Sequence, residues 1–344
     1  MTGTAVFRCD ASQTIGGGHV VRCMALAGAL REAGWAVRFA VSDATPRTVR
    51  ELGEAFPASL TGLRCDPSDS TRLRAEWPDG IDLLVVDHYG LGEAFEQAAN
   101  GWARRILVID DFPNRRHHCT HLVDTTHGRR AEDYAGLVPS GAKLMCGSSY
   151  AMLRGPFRRR RASGPLKAGG DRLAALVTFG MTDAPNATGI TLAGLLPLAG
   201  MIDVVVVLGA SAPHAATVAD LLRGGAPSWR LVTDADAATM AALTAEADLV
   251  IGAPGSASYE RCCLGKPALL LQLADNQAGN AAALVDAGAA ELLGGIPDVT
   301  AADVEKAVRR LAGDRNRLAA MGFAAAKVTD GRGVERIVAA LEAE

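Results

Sequence analysis

Short apolar runs alternate with helical patterns along most of the 344-residue chain, and this alternation is the feature that most constrains the fold. The first apolar run covers residues 4–9, and apolar positions then recur at helical spacing from about His19 to Ala33. Alternating strands and helices are typical of parallel sheets whose strands are joined by crossover helices. The length suits two domains of ordinary size. We therefore predict an α/β protein with two doubly wound parallel sheets facing a central cleft.

The predicted strands form two series that are separated by an irregular segment. Residues 154–171 hold four consecutive arginines, two prolines and several glycines, which is typical of an interdomain linker. We predict domains at residues 1–155 and 173–344, a linker at 156–172, a mostly irregular His-rich stretch at 115–134, and a wholly helical end at 302–344 that can pack back on the first domain. The predicted strands are 4–9, 35–41, 81–86, 106–109 and 143–146, followed by 173–179, 204–208, 249–252 and 268–273.

Charge and composition exclude several classes of protein. The net charge is −3, and no aromatic cluster or second basic patch accompanies the arginines at 158–161, so we expect no nucleic-acid partner. The sequence has no run of 18 apolar residues, so we expect no membrane span. The first ten residues lack the pattern of a signal peptide. The seven cysteines are scattered without a Cys-x-x-Cys pair, which is typical of reduced thiols. We expect a cytoplasmic monomer.

Polar residues follow three predicted strands of the first domain. In open α/β sheets, ligands bind outside the carboxyl ends of the strands. A single Asp at a strand end often serves only as a turn residue or a helix cap, but convergence from three strands favours a site. The residues concerned are Asp10, then Asp87, His88 and Tyr89, then Asp110 and Asp111.

A glycine run precedes the first predicted helix. Gly16, Gly17 and Gly18 permit positive φ angles and a close approach of backbone to ligand, although their spacing matches neither the dinucleotide fingerprint nor the P-loop. His19 follows near the helix N-terminus, where the dipole favours a neutral imidazole that can accept a proton. His19 is thus either a general base or only a helix-capping residue.

The second domain carries a separate group of candidate binding residues. A small-residue loop that opens a helix offers backbone N–H groups to a phosphate, although such loops also occur where a helix and a sheet simply pack closely. Glu260 could accept hydrogen bonds from ribose hydroxyls. The predicted binding residues are Gly180 and Thr182, then Gly255, Ser256, Ala257 and Ser258 of the loop, and finally Glu260, Asn276 and Gln277.

One cluster rich in histidine and cysteine suggests metal, but its spacing does not support a metal site. The cluster comprises His117, His118, Cys119, His121 and His127. Zinc templates require a second pair of ligands at a defined distance, and none follows. We predict a polar loop, no bound metal and no cofactor.

Ordered motifs along nearly the whole chain resemble one family, the UDP-2,4-diacetamido-2,4,6-trideoxy-β-L-altropyranose hydrolases of the pseudaminic acid pathway. The motifs are residues 7–12 and 15–23, Val86 to Leu91, Ile109 to Asp111, His118-Cys119, Asp133-Tyr134, Gly147 to Arg154, Gly255 to Glu260 and Asp275 to Gln277. The resemblance implies a GT-B fold and metal-free cleavage of the sugar C1–O bond with inversion.

The resemblance also implies roles for individual residues. His19 would be the base or orienter of the attacking water, Asp10, Tyr89 and His88 would shape the sugar pocket, and Arg22 would lie near the sugar or the phosphates. We predict His19, Asp10 and Tyr89 as the catalytic residues. Gly255, Ser256, Ala257, Glu260, Asn276 and Gln277 would bind UDP. Gly17, Gly18, Asp87, Gly180, Thr182 and Ser258 complete the expected substrate-binding set.

Two positions depart from the family pattern, and other functions remain open at this stage. Met181 stands where the family has a second glycine, and Tyr259 where it has another residue type. The alternatives are a GT-B glycosyltransferase that transfers sugar from a UDP donor to a hydroxyl acceptor, a non-catalytic nucleotide-sugar binding protein, and a metal-binding interaction protein built on the His cluster.

Overall fold

The structure is a computed structural model that describes residues 3–57, 59–66, 68–163, 171–210 and 212–343. The chain divides into two compact units. Unit 1 comprises Met1–Arg154 together with Arg332–Glu344, and unit 2 comprises Gly155–Gly331. In the described residues, no helix is long and apolar enough to cross a membrane.

Unit 1 is built on six parallel strands in the order β2-β1-β3-β4-β5-β6. Most of the strand residues are buried, as the continuous apolar runs predict for a sheet covered on both faces. The elements are β1 (Thr4–Cys9), α1 (Gly18–Glu32), β2 (Ala36–Ala40), α2 (Thr45–Thr48), α3 (Arg50–Ala55), α4 (Asp69–Glu76), β3 (Ile81–Asp87), α5 (Glu93–Ala99), β4 (Ala103–Ile109), β5 (His121–Asp124) and β6 (Lys143–Cys146), with 3₁₀ turns at Ala131–Tyr134 and Ser148–Tyr150.

Unit 2 has a second six-stranded parallel sheet in the order β12-β11-β10-β7-β8-β9. Its elements are α6 (Gly155–Ala162), β7 (Leu173–Thr178), α7 (Ala187–Leu195), β8 (Ile202–Leu208), α8 (Ala215–Arg223), β9 (Arg230–Thr233), α9 (Ala237–Glu246), β10 (Leu249–Gly252), α10 (Ala257–Cys263), β11 (Ala268–Gln272), α11 (Ala278–Asp286), β12 (Ala290–Gly295), α12 (Ala301–Ala312) and α13 (Arg315–Val328), with 3₁₀ turns at Leu196–Leu198 and Asp275–Gln277.

The final helix, α14 (Gly333–Glu342), returns to unit 1. It packs against α1 and the turn Ser148–Tyr150, with Ile337 and Leu341 fully buried. A side chain at Gly333 would have no room, because a Cβ there would lie 2.2 Å from the carbonyl oxygen of Ala151. The last helix is therefore part of the core of unit 1.

The strand orders place a topological switch point in each unit. In unit 1 the chain leaves β1 toward β2 on one side and returns to β3 on the other. In unit 2 the switch lies between β7 and β10. Loops leaving neighbouring strands in opposite directions open a crevice at such points, and ligands bind there in doubly wound sheets.

Several segments differ from the sequence prediction, and the strands β9 and β12 were not predicted. The predicted linker at 156–172 begins instead with α6, which anchors on the buried Phe157, while residues 164–170 lie outside the described residues. The end at 302–344, predicted as wholly helical, consists of the three helices α12, α13 and α14 with short breaks near Gly313 and at 329–332. The segment at 115–134, predicted as mostly loop, contains β5, which is too polar in sequence to indicate a strand.

Candidate active site

The loop after β1 delivers His19 to the switch point of unit 1. The N–H of Gly16 donates to the carbonyl of Ser12 at 2.8 Å, and Gly16 adopts φ +75°, a conformation that favours glycine. Helix α1 then starts at Gly18, with Gly17 as its N-cap. His19 therefore lies in the first helical turn, above the end of β3, as the glycine run predicts.

His19 is oriented by a buried carboxylate. Its Nδ1 lies 2.6 Å from Oδ1 of Asp87, the last residue of β3. A carboxylate only accepts, so this bond assigns the proton to Nδ1 and leaves Nε2 able to accept one. Within the described residues, Nε2 has no hydrogen-bond partner, and the His19 side chain is partly open to solvent. This is the arrangement that an oriented general base requires.

Arg22, one helical turn beyond His19, binds the same carboxylate. Its Nε and Nη2 donate to the two oxygens of Asp87, each at 2.7 Å, and Cys23 Sγ lies 3.4 Å from Oδ2. Burial would raise the pKa of Asp87, but the charge of Arg22 and the hydrogen bonds from Arg22 and His19 outweigh it and hold that pKa well below its ordinary value. Asp87 is therefore ionised at neutral pH.

The third nitrogen of the Arg22 guanidinium binds Asp111. Nη1 donates to both Asp111 oxygens at 2.9 Å, and the hydroxyl of Tyr89 donates to Asp111 Oδ2 at 3.0 Å. Burial, with the nearby Asp111 carboxylate, raises the pKa of Tyr89, so its hydroxyl stays protonated. The Tyr89 ring also meets the His19 ring edge to face, with centroids 4.8 Å apart. Asp111 was named from the sequence as a strand-end residue, but no catalytic or substrate-binding role was predicted for it.

Asp10 lies at the same sheet edge but in a different network. Its oxygens accept from Arg8 Nη2 at 2.9 Å and from the N–H of Ser42 at 2.6 Å, and the residue is buried. Asp10 Oδ2 also lies 3.4 Å from Nε2 of His88. No hydrogen bond joins Asp10 to His19 among the described residues. This geometry suits a residue that positions His88, and its predicted catalytic role remains a prediction.

Arg8 completes that second network and was not among the predicted site residues. Arg8 is fully buried and binds Asp69 at 3.0 Å as well as Asp10. His88 in turn accepts from the N–H of Gly90 through Nδ1, which lies 3.1 Å from Cys65 Sγ. The network therefore fixes the segment after β3 through residues distant in sequence.

The His-rich stretch is a structural network. His117 lies between Glu96 at 2.8 Å and Asp110 at 3.6 Å. Burial would lower its pKa, but these two carboxylates raise it to about 9. Asp110 also binds Arg115. In the part of the chain that the structure describes, no three His, Cys, Asp or Glu side chains are placed to hold a metal ion.

In unit 2, the loop from Ala253 to Ser258 follows β10 at the switch point. Asn280 Nδ2 donates to the carbonyls of Pro254 and Gly255 at 2.8 and 3.3 Å, and Tyr259 in turn donates to Asn280. These bonds from Asn280 occupy carbonyl groups of the loop but none of its backbone N–H groups. No protein acceptor is found within the described ranges for three backbone N–H groups, those of Gly255, Ser256 and Ala257. The loop is thus a potential cradle for an anion.

The other predicted residues of unit 2 differ in accessibility. Asn276 is exposed, and Gln277 uses its Oε1 to accept from the N–H of Leu273 at 2.9 Å. Glu260 and Ser258 are buried. Their proposed contacts with a nucleotide remain predictions.

The Gly180–Thr182 segment follows β7 on the other side of the same switch point. Gly180 adopts φ +93°, whereas Met181 is not among the residues with positive φ. The Met181 carbonyl accepts from the N–H of Gly209 at 3.1 Å. The backbone freedom of glycine is therefore needed at 180 and not at 181, and the departure at Met181 leaves the loop intact.

No protein-family model matches the chain. Two proteins show sequence similarity. One is the UDP-2,4-diacetamido-2,4,6-trideoxy-beta-L-altropyranose hydrolase of Campylobacter jejuni, 28% identical over 58% of this chain and 68% of that protein. The other is the spore coat polysaccharide biosynthesis protein SpsG of Bacillus subtilis, 27% identical over 76% of each chain.

Solved structures share the fold across the whole chain. MurG of Acinetobacter baumannii aligns with a TM-score of 0.67 at 16% identity, covering 99% of this chain and 100% of that one. UDP-GlcNAc 2-epimerase of Neisseria meningitidis, bound to UDP-GlcNAc, aligns with a TM-score of 0.63 at 13% identity, covering 99% and 100%. The resemblance inferred from the motifs is confirmed: the chain has the GT-B fold and is a sequence relative of the UDP-diacetamido-trideoxy-altropyranose hydrolase.

Proposed function

We propose that this protein hydrolyses a UDP-linked diacetamido-trideoxy sugar, releasing UDP and the free sugar. The observation that carries the proposal is the hydrogen bond by which Asp87 orients His19 through Nδ1, which leaves Nε2 of His19 accessible as a proton acceptor. Arg22 binds the same carboxylate of Asp87. A donor-only Nδ1 and an accepting Nε2 suit removal of a proton from water. The sequence similarity to a hydrolase of this substrate class supports water as the acceptor.

The proposed reaction is a single displacement at the anomeric carbon. The oxygen of water bonds to C1 while the C1–O bond to the diphosphate breaks, and that bonding pair leaves on UDP. The water proton passes to His19 Nε2. Attack opposite the leaving group inverts the configuration at C1.

The charges around His19 suit this proton transfer. Asp87 and Asp111 contribute two negative charges and Arg22 one positive charge, so the cluster has a net charge of −1 before the reaction. A proton arriving on His19 makes the cluster neutral. Because the cluster is largely removed from water, this compensation lowers the energy of the imidazolium that forms in the transition state.

The loop of unit 2 is the proposed binding site for the UDP diphosphate. Its three open N–H groups can donate to phosphate oxygens and to the negative charge that grows on the leaving group. In this proposal no metal is needed to neutralise the leaving group. Gly180 and Thr182, Glu260, Asn276 and Gln277 are the surrounding residues proposed to contact the nucleotide.

The decisive experiment is UDP release from UDP-2,4-diacetamido-2,4,6-trideoxy-β-L-altrose with no acceptor present, for the wild type and His19→Ala. We expect steady release by the wild type and a loss of about 10³-fold to 10⁴-fold in kcat for the variant, the range of general-base catalysis. His118→Ala, in the structural His stretch, is the matched control and should retain activity.

Isotope labelling identifies the broken bond and separates hydrolysis from transfer. In ¹⁸O-water, cleavage of C1–O leaves UDP unlabelled, whereas attack at phosphorus labels it. If the wild type binds UDP but releases none until a hydroxyl acceptor is added, the protein is a glycosyltransferase and the hydrolase proposal fails. If His19→Ala keeps full activity, the proposed base is wrong.

A further inference from the structure

Arg261, on α10, is a buried cation with no carboxylate beside it. The residue is 4% exposed. Its Nη2 donates to the carbonyl of Ala253 and, at 2.7 Å, to Oγ of Ser258. Its Nε and Nη1 are buried without a hydrogen-bond partner, and no carboxylate of the described chain lies within salt-bridge distance of its guanidinium.

This guanidinium remains charged at neutral pH. Burial lowers its pKa to about 10, with small opposing contributions from Cys262 and Glu260. A buried charge without an ionic partner is costly, and groups with unused donors are found where a protein binds or transforms a ligand. Each of the buried arginines of unit 1, Arg8 and Arg22, by contrast binds two carboxylates.

Arg261 lies next to the Ala253–Ser258 loop, whose open N–H groups form the potential anion-binding site. Its Nη2 binds both ends of the Ala253–Ser258 loop. Its Nη1 lies against Gly252, where a Cβ would come within 2.9 Å of it. The cation thus contacts both ends of the loop whose N–H groups at 255–257 have no acceptor among the described residues.

We propose that Arg261 is the buried counter-charge for the diphosphate of a nucleotide bound at the Ala253–Ser258 loop. The inference rests on the proposed function, because it assumes that the loop binds a nucleoside diphosphate. Arg261 is a positioning residue: it holds the loop through Ala253 and Ser258 and adds a positive potential beneath the phosphates. The charge left without a partner in the free protein gains one when the diphosphate binds.

The test compares the affinities of UDP and uridine for the wild type, Arg261→Met and Arg261→Lys by calorimetry or competition. Removing one positive charge near the phosphates, at an effective dielectric constant of about 20, should weaken UDP binding by about 30-fold. Uridine carries no phosphate, so its affinity should change less than about 3-fold. Arg261→Lys keeps the charge and should retain most of the preference for UDP.

Arg161→Met is the matched control. Arg161 also donates to backbone carbonyls, those of Cys263, Thr329 and Ala326, without a carboxylate acceptor. We expect this variant to leave the ratio of UDP affinity to uridine affinity unchanged, even where it lowers Tm.

The outcomes separate this inference from the proposed function. If Arg261→Met weakens UDP and uridine equally, Arg261 has only a structural role, and the inference fails while the nucleotide site survives. If the wild type binds no UDP, the proposed function fails as well. If Arg261→Met does not fold, Arg261→Lys decides: loss of the preference for UDP in a folded Lys variant overturns the counter-charge role.

Discussion

The two switch points differ in how they treat buried charge. In unit 1, Arg22 is bound by Asp87 and Asp111, and Arg8 by Asp10 and Asp69. In unit 2, the buried Arg261 has only neutral acceptors. A compensated cluster can hold a proton acceptor in a fixed geometry, whereas an uncompensated cation attracts an anion. The same sheet topology is therefore proposed to support proton transfer in one unit and phosphate binding in the other.

The largest effect should come from removing the negative charge of Asp87, which balances Arg22 and orients His19 in unit 1. Asp87→Asn removes the charge that orients His19 and leaves Arg22 with one carboxylate. We expect kcat for UDP release to fall by about 10³-fold or more, and the free energy of unfolding to fall by about 3 kcal/mol. Activity assays and denaturant unfolding measure the two effects.

Asp66→Asn is the control for that change, because Asp66 is an exposed carboxylate of unit 1 that bonds only to Ser68. Its activity should match the wild type. A loss of less than tenfold in Asp87→Asn would show that the pairing with His19 contributes little to catalysis.

A second effect, on stability alone, should come from a third buried cluster of unit 1, formed by His117, Glu96 and Asp110. The pKa of His117 is raised to about 9, so its charge stabilises the fold fully below its ordinary pKa, and that contribution is lost as the pH rises through about 9. The contribution is on the order of 3 kcal/mol. We expect Tm to fall between pH 6.5 and 9.5.

Glu96→Gln removes one of the two carboxylates that hold His117 and should make this fall in Tm shallower. His118→Asn is the control, since only its backbone N–H, and not its side chain, bonds to Glu96. A wild-type Tm that stays constant across this pH range would contradict the charged state of His117.

The smallest effect should come from Tyr89. Tyr89→Phe deletes one hydrogen bond to Asp111 but keeps the ring against His19. Loss of a hydrogen bond to a charged group at a partly exposed site should reduce kcat/KM by about 3-fold to 10-fold. Steady-state kinetics measure it, and a loss as large as that of His19→Ala would mean that the hydroxyl acts directly in the reaction.

Sequence reasoning located the strands and the polar edge well because both follow local rules. Residues 4–9, 143–146 and 249–252 were predicted with the observed strand bounds, since apolar runs flanked by turns leave few alternatives. The glycines before His19 and the polar residues after β3 also indicated the site. The pairing of His19 with Asp87 and Arg22 required the sheet order, which no local pattern contains.

Other features were beyond prediction because they depend on distant partners. Asp69, the partner of Arg8, lies 61 residues away on a short helix that has no clear apolar period. Arg261 looks like an ordinary helical arginine in sequence, and only the fold shows that it is buried without an anion. Helix α6 was not predicted, because its four consecutive arginines are typical of a solvated linker.

Because α14 belongs to unit 1 but follows unit 2 in the sequence, unit 1 is completed only after unit 2 has been synthesised. Unit 2 is one continuous segment, whereas the helix that covers α1 leaves the ribosome only after all of unit 2. Unit 2 can thus fold while unit 1 still exposes an apolar surface. A fragment that ends at Arg154 would keep that surface bare, so an isolated unit 1 needs residues 332–343 joined back to it.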